Sequence, residues 1–354
     1  MSKFLSPRFE SLDAYTPGEQ PRDQKYIKLN TNECPYPPSP KVIEAIDAEK
    51  NLLNLYPDPT AKCLKNAIAE NVGLNAENVF VANGSDEVLA LAFMAFCDKD
   101  TGVAYPDISY GFYSVYADLF TLNSKVVPLK DDFSVCPKDY FNLGRTIFIA
   151  NPNAPTGLCL SLNEIANILE NNKNNVVVID EAYVDFGGES AVKLLDKHPN
   201  LLVVRTFSKS RNLAGGRVGF ALGSKELIAD LELMKYSFNP YNINRLSLVS
   251  ATAAMNDVEY FEKCVGEIKN TRTFLVNELE NLGFKVIPSC ANFIFVKYNG
   301  ISGEELYLKL KENGILIRHF NKDRIKDYIR ITIGTKAETI SLINTIKIII
   351  DEVK

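Results

Sequence analysis

Apolar and polar positions follow two different rhythms along the chain. Up to about residue 235, short β-branched runs recur: VFVA at 79–82, VAY at 103–105, TIFIA at 146–150, VVVID at 176–180 and LLVVRTF at 201–207. Such short β-branched runs, with helical segments between them, predict parallel strands buried on both faces. Ser161 and Glu164 form a capping-box pair ahead of a stripe of Ile165, Ile168 and Leu169, which predicts a helix over 161–169. SDEVLALAFMAFC at 85–97 is apolar nearly all round and predicts a helix inside the core.

Beyond 235 the rhythm changes. A long helix is predicted at 258–282, strands at 284–287, 292–297, 315–318 and 328–333, and a final helix at 336–353. The first thirty residues lack a period and read as an extended arm, with regular structure starting near Pro40. The expected architecture is therefore α/β. An arm at 1–30 packs with the small domain, a large doubly wound, mostly parallel domain spans 31–234, and a smaller α+β domain spans 235–354. A cleft between the two domains is the expected ligand site.

Composition narrows the function. A chain of 354 residues that is 46% hydrophobic exceeds the usual size of a single core. The net charge of −5 comes from interspersed charges, so no basic stripe marks a nucleic-acid partner. Seven scattered cysteines with no CxxC spacing predict reduced thiols in the cytoplasm. The first residues show no apolar leader core, and runs such as 88–96 are too short to span a membrane. His198 and His319 are the only histidines and stand in no HExxH pattern, so neither a histidine metal site nor a Ser-His-Asp triad is expected.

Candidate chemistry sits where strands end. TFSKSRNLAGGRVG at 206–219 holds Lys209 between hydroxyl residues, with Arg217 eight positions on. A lysine whose surroundings disfavour its charge can form a Schiff base. Thr206, Ser208 and Arg217 suit a dianionic phosphate. Taken alone, a Ser-Lys pair reads first as a solvated surface lysine. Asp180 closes a predicted buried strand, where open α/β sheets present ligand contacts, with Tyr183 three residues on. Gly84 and Ser85 precede the buried helix, a place that suits a phosphate and also an ordinary N-cap. Tyr110 follows another strand end and reads as a ring against a flat cofactor or as a core tyrosine. NPNAPTG at 151–157 prescribes a turn.

SDE, PDISYGFY, NPNAPTG, DEAY, TFSKS and LAGGRVG occur in the order found in fold-type I aminotransferases, which the chain resembles along essentially its whole length. Within that group LNTNECPYPPSP at 29–40, LYPDPT at 55–60, PYNINR at 240–245 and YIRITIGT at 328–335 are similar to signatures of the histidinol-phosphate aminotransferase family. The resemblance implies pyridoxal 5'-phosphate bonded to Lys209, with Asp180 on its ring nitrogen, Tyr183 on its phenolic oxygen and Tyr110 on its face. Gly84, Ser85, Asp86, Thr206, Ser208 and Arg217 would surround the cofactor phosphate, joined by Tyr56 from the second subunit of a homodimer. Where the family has asparagine before the proline of its turn, this chain has Ala154, which leaves either Tyr183 alone on the phenolic oxygen or Asn153 as the substitute. Tyr15, Asn32, Arg318 and Arg330 would bind substrate. The implied reaction passes an amino group from L-histidinol phosphate to 2-oxoglutarate, giving imidazole acetol phosphate and glutamate. The same cofactor set would also serve an aminotransferase or decarboxylase of another small phosphorylated amine, or an aromatic amino-acid aminotransferase.

Overall fold

The computed structural model describes residues 2–10 and 12–353. Its arm carries β1 (Ile27–Lys28) and leads into α1 (Pro40–Glu49). Ser39 accepts a hydrogen bond from the Val42 N–H, and Pro40 fills a first-turn position that needs no donor. After α2 (Lys62–Val72) the chain alternates: β2 (Val79–Ala82), α3 (Gly84–Phe96), β3 (Val103–Pro106), α4 (Phe112–Leu119), β4 (Ser124–Val127), β5 (Thr146–Ala150), α5 (Leu162–Glu170), β6 (Val177–Asp180), β7 (Leu201–Thr206) and β8 (Gly219–Gly223).

Strands β2 to β8 form one sheet in the order β2-β8-β7-β6-β5-β3-β4. All but β8 run one way; β8 is antiparallel to both neighbours. The five apolar runs do form co-directional strands, buried nearly throughout, as their composition requires. The reversal at β8 has a topological cause. Its connection from β7 contains no crossover helix of the kind a parallel return needs, so the chain turns back beside β7. Neither β8, bounded by glycines, nor the partly exposed edge strand β4 stands out as an apolar run. The capping box starts α5 as expected, and α3 lies inside a core cluster.

The rest comprises α6 (Lys225–Phe238), α7 (Arg245–Asn256), α8 (Val258–Asn281), β9 (Lys285–Ile287), β10 (Phe293–Lys297), α9 (Gly303–Glu312), β11 (Ile315–Leu316), β12 (Arg318–His319), β13 (Ile329–Thr332) and α10 (Lys336–Val353). An antiparallel sheet in the order β12-β13-β10-β9 carries a second core with α8, α9 and α10. The strand expected at 315–318 is divided: β11 pairs with β1 and β12 with β13. Leu29 belongs to this second core, and Glu19 of the arm pairs with Lys311 at 2.5 Å. Ala251, Ala254 and Met255 of α7 join the core of the large sheet, because the small residues of α7 let it pack against α1 and α2.

Candidate active site

Strand register brings the chemistry together. Ala150 is level with Asp180 across β5 and β6, and Gly219 at the start of β8 is level with both Thr206 and Ala82. A cavity of about 320 Å³ opens at this edge, lined by Ser85, Asp86, Tyr110, Asp180, Tyr183, Thr206, Ser208, Lys209 and Arg217 among others.

Lys209 stands in the turn just after β7, and its Nζ donates to the Thr31 carbonyl at 3.1 Å. Burial first and the Arg330 charge second lower its pKa to about 8, so a neutral amine is accessible near neutral pH. Asp180, the last residue of β6, is raised to about 6 by burial. The Tyr113 hydroxyl donates to Asp180 Oδ2 at 2.9 Å and the Ala182 N–H to Oδ1 at 3.2 Å, and both favour the anion. Burial and Asp180 push Tyr113 well above the usual tyrosine range, so it remains a donor. Tyr183 accepts from Asn32 Nδ2 at 3.0 Å and packs edge-on against Phe293.

One end of the cavity gathers anion-binding groups: the start of α3, the Thr206 and Ser208 hydroxyls, and Arg217. Two glycines permit the close approach. A Cβ on Gly84 would lie 2.6 Å from Arg217 Nη2, and one on Gly219 only 2.2 Å from the Ser85 nitrogen. Arg217 Nη2 meets Asp86 Oδ2 at 3.1 Å, and Asp86 Oδ1 accepts from the Tyr110 hydroxyl at 2.6 Å. Asp86 thereby fixes the arginine and the aromatic ring together.

On the small-sheet side, Arg318 of β12 and Arg330 of β13 are register partners. Arg330 Nη2 donates to the Asn30 carbonyl at 2.9 Å, while its buried Nε has no hydrogen-bond partner. Burial and the Arg318 charge lower the pKa of Arg330. Two adjacent guanidiniums with a donor to spare make a site for an anion. Arg318 Nη2 reaches the Thr16 carbonyl at 3.4 Å, and Tyr15 stacks on Phe112 with ring centroids 4.3 Å apart, its own ring 6.4 Å from that of Tyr110.

Two expected ligands are placed elsewhere. Asn153 does not reach the cavity: its Nδ2 donates to the Ile108 carbonyl at 3.0 Å and to Thr156, and its Oδ1 accepts from Ser109 at 2.7 Å. Its amide ties two turns together and has no hydrogen left for a ligand. Asn32 is 1% exposed and its amide serves Tyr183 and Thr332. Tyr56 is 77% exposed, stacked on Tyr241 and outside this chain's cavity. Conversely, Tyr113, Glu33 and Thr332 lie inside the quoted motifs, but nothing in the sequence signals their contacts. Glu33 lines the cavity, held by Lys28 at 2.7 Å and by Thr31.

The chain matches the family described as aminotransferase class I and II over residues 24–346. It is 54% identical over 352 residues to a histidinol-phosphate aminotransferase of Brachyspira hyodysenteriae, covering 99% of each chain. A protein of the same description from Clostridium botulinum is 50% identical over 353 residues, covering 99% of this chain and 100% of that one. In fold it is similar to the histidinol-phosphate aminotransferase of Sinorhizobium meliloti, solved in complex with pyridoxal-5'-phosphate. The TM-score is 0.90 at 22% identity, covering 100% of this chain and 99% of that one.

Proposed function

Because the chain belongs to the class I and II aminotransferase family, we propose that it transfers the amino group of L-histidinol phosphate to 2-oxoglutarate, a reaction of histidine biosynthesis. The enzyme depends on pyridoxal 5'-phosphate. The donor set of the cavity suits that cofactor: an amine of lowered pKa, a buried carboxylate, an aromatic ring, and a cluster of hydroxyl and guanidinium donors where two glycines leave room.

Lys209 would bond the cofactor, Asp180 would hold its ring nitrogen, Tyr183 its phenolic oxygen and Tyr110 its face. Ser85, Thr206, Ser208 and Arg217 would hold its phosphate, with Gly84 giving clearance and Asp86 bracing the arginine. When bound, the cofactor's pyridinium ring is an electron sink for the bond broken at the substrate carbon. Asp180, ionised above about pH 6, would keep a proton on the ring nitrogen. Lys209, neutral above about pH 8, would take the substrate Cα proton onto Nζ and deliver it on the cofactor side of the substrate nitrogen.

The observation that carries the substrate assignment is the Arg318–Arg330 pair, whose Arg330 charge acts on Lys209. Histidinol phosphate has no carboxylate, and its phosphate answers both guanidiniums and the spare Arg330 Nε. Tyr15 would close over it. Tyr56, with the exposed Leu53 and Leu55 beside it, would enter the site of the second subunit of a homodimer. No described helix is long and apolar enough to cross a membrane. The seven free thiols fit a cytoplasmic setting.

Single-turnover absorbance of the holoenzyme tests the reading. Rapid conversion of the cofactor to its amine form by L-histidinol phosphate and by glutamate is expected, with slow conversion by phenylalanine and phosphoserine. Conversion by glutamate alone, or release of carbon dioxide, would overturn the substrate assignment.

A further inference from the structure

The hydroxyl of Tyr183 carries one proton, and its surroundings decide where that proton points. Asn32 Nδ2 donates to this oxygen at 3.0 Å, so Asn32 is not available to receive the tyrosine's hydrogen. The orientation of the Asn32 amide is itself set from the other side. Thr332 Oγ1 accepts from the Asn32 backbone N–H at 2.9 Å and stands 2.9 Å from Asn32 Oδ1. A backbone N–H only donates, so the threonine hydrogen is free to go to Oδ1. Turning the amide over would put an NH₂ against Thr332 and leave the threonine hydrogen buried without an acceptor, a destabilising arrangement.

Asn32 and Thr332 are 1% and 3% exposed, which leaves no room for solvent to relieve that conflict. Asn32 is also held in the left-handed region at φ 56, and its carbonyl accepts from the buried Asn292 Nδ2 at 2.9 Å. With Asn32 so fixed, the free direction for the Tyr183 O–H is the cavity that Tyr183 lines. We propose that Thr332 and Asn32 are positioning residues that aim the Tyr183 hydroxyl hydrogen into the cavity. Thr332 lies two residues beyond Arg330 on β13, so one strand carries both the anion-binding arginine and the start of this relay.

The inference rests on the proposed place of Tyr183 at the cofactor's phenolic oxygen. A donor there stabilises the phenolate and lowers the pH at which the bound cofactor's absorbance changes protonation form. The experiment is a pH titration of that absorbance in holoenzyme. Tyr183→Phe is expected to raise the midpoint by about one unit or more, and Thr332→Val by roughly half a unit to one unit. Thr332→Ser is expected to titrate like the parent, and Thr332→Val in the Tyr183→Phe background to add nothing. Thr332→Ala, which introduces no extra methyl, is the second variant and carries the same expectation as Thr332→Val. An unchanged midpoint in both Thr332→Val and Thr332→Ala while Tyr183→Phe shifts would overturn the relay alone, as would a Thr332→Val shift that persists in full without the tyrosine hydroxyl. An unshifted Tyr183→Phe would instead overturn the place given to Tyr183.

Discussion

Replacing Tyr113 with phenylalanine removes one hydroxyl from the wall behind Asp180 and leaves its ring among Phe148, Tyr105 and Tyr110. That hydroxyl donates to Asp180 at 2.9 Å, and it is the leading influence opposing the burial that raises the carboxyl to about 6. A hydrogen bond to a charged group contributes about 1.5–3 kcal/mol, which at about 1.4 kcal/mol per unit is roughly one to two pKa units. Asp180 in the Tyr113→Phe apoprotein should therefore titrate at roughly 7 to 8. At pH 6 the parent is about half ionised and the variant roughly 1–10% ionised, so cofactor affinity should fall roughly five- to fifty-fold at that pH. Above about pH 9 both are ionised and the difference should vanish. The assay is titration of apoenzyme with pyridoxal 5'-phosphate from pH 5.5 to 9.5, read as the ratio of the variant's Kd to the parent's. The ratio cancels the pH dependence that Lys209 imposes on both proteins. A ratio that does not change with pH would refute the reasoning, since it would show that Tyr113 acts by packing and not on the charge of Asp180.

Lys209→Ala should lower kcat at least about 100-fold, because no other amine lines the cavity among the described residues; a parental rate in steady-state assay would contradict its role. Arg330→Ala should raise KM for histidinol phosphate about ten- to a hundred-fold through loss of charge-assisted hydrogen bonds, with titration by inorganic phosphate as an independent check. Gly219→Ala places a methyl 2.2 Å from the Ser85 nitrogen and should destabilise the fold by about 1–3 kcal/mol, measured by urea unfolding, while weakening cofactor binding. The stability of the apoprotein should also carry the signature of Asp180. Its folded pKa is raised, so its contribution is fully present below the unfolded carboxylate value near pH 4 and is lost as pH rises through about 6. Comparing the pH dependence of urea midpoints with Asp180→Asn, which should lack that loss, checks the sign.

What the sequence revealed depended on how locally each feature is encoded. Strands such as β5 and β6 are mostly apolar and buried at every position because both faces are covered, and that run is visible without any partner. The reversed strand β8 reads as part of a glycine-rich turn, since those glycines serve the approach to α3 and not the strand itself. Helix α7 is recognisable as a helix, but the core it joins is decided by packing on α1 and α2. Lys209, Asp180 and Ser85 were identifiable because each follows or ends a strand on one edge of the sheet. Asn153 was misplaced because its partners, Ile108 and Ser109, lie more than forty residues away, and the Asn32–Thr332 contact spans 300 residues. Spacing in one sequence carries no record of such pairings.

Lys209, at the exit of β7, is proposed to bond the cofactor and move the proton. Borohydride reduction of the holoenzyme, followed by proteolysis and mass spectrometry, tests it directly. The account predicts a phosphopyridoxyl group on the peptide carrying Lys209 and on no other; a label on another lysine, or none on Lys209 in enzyme that turns over, would contradict it.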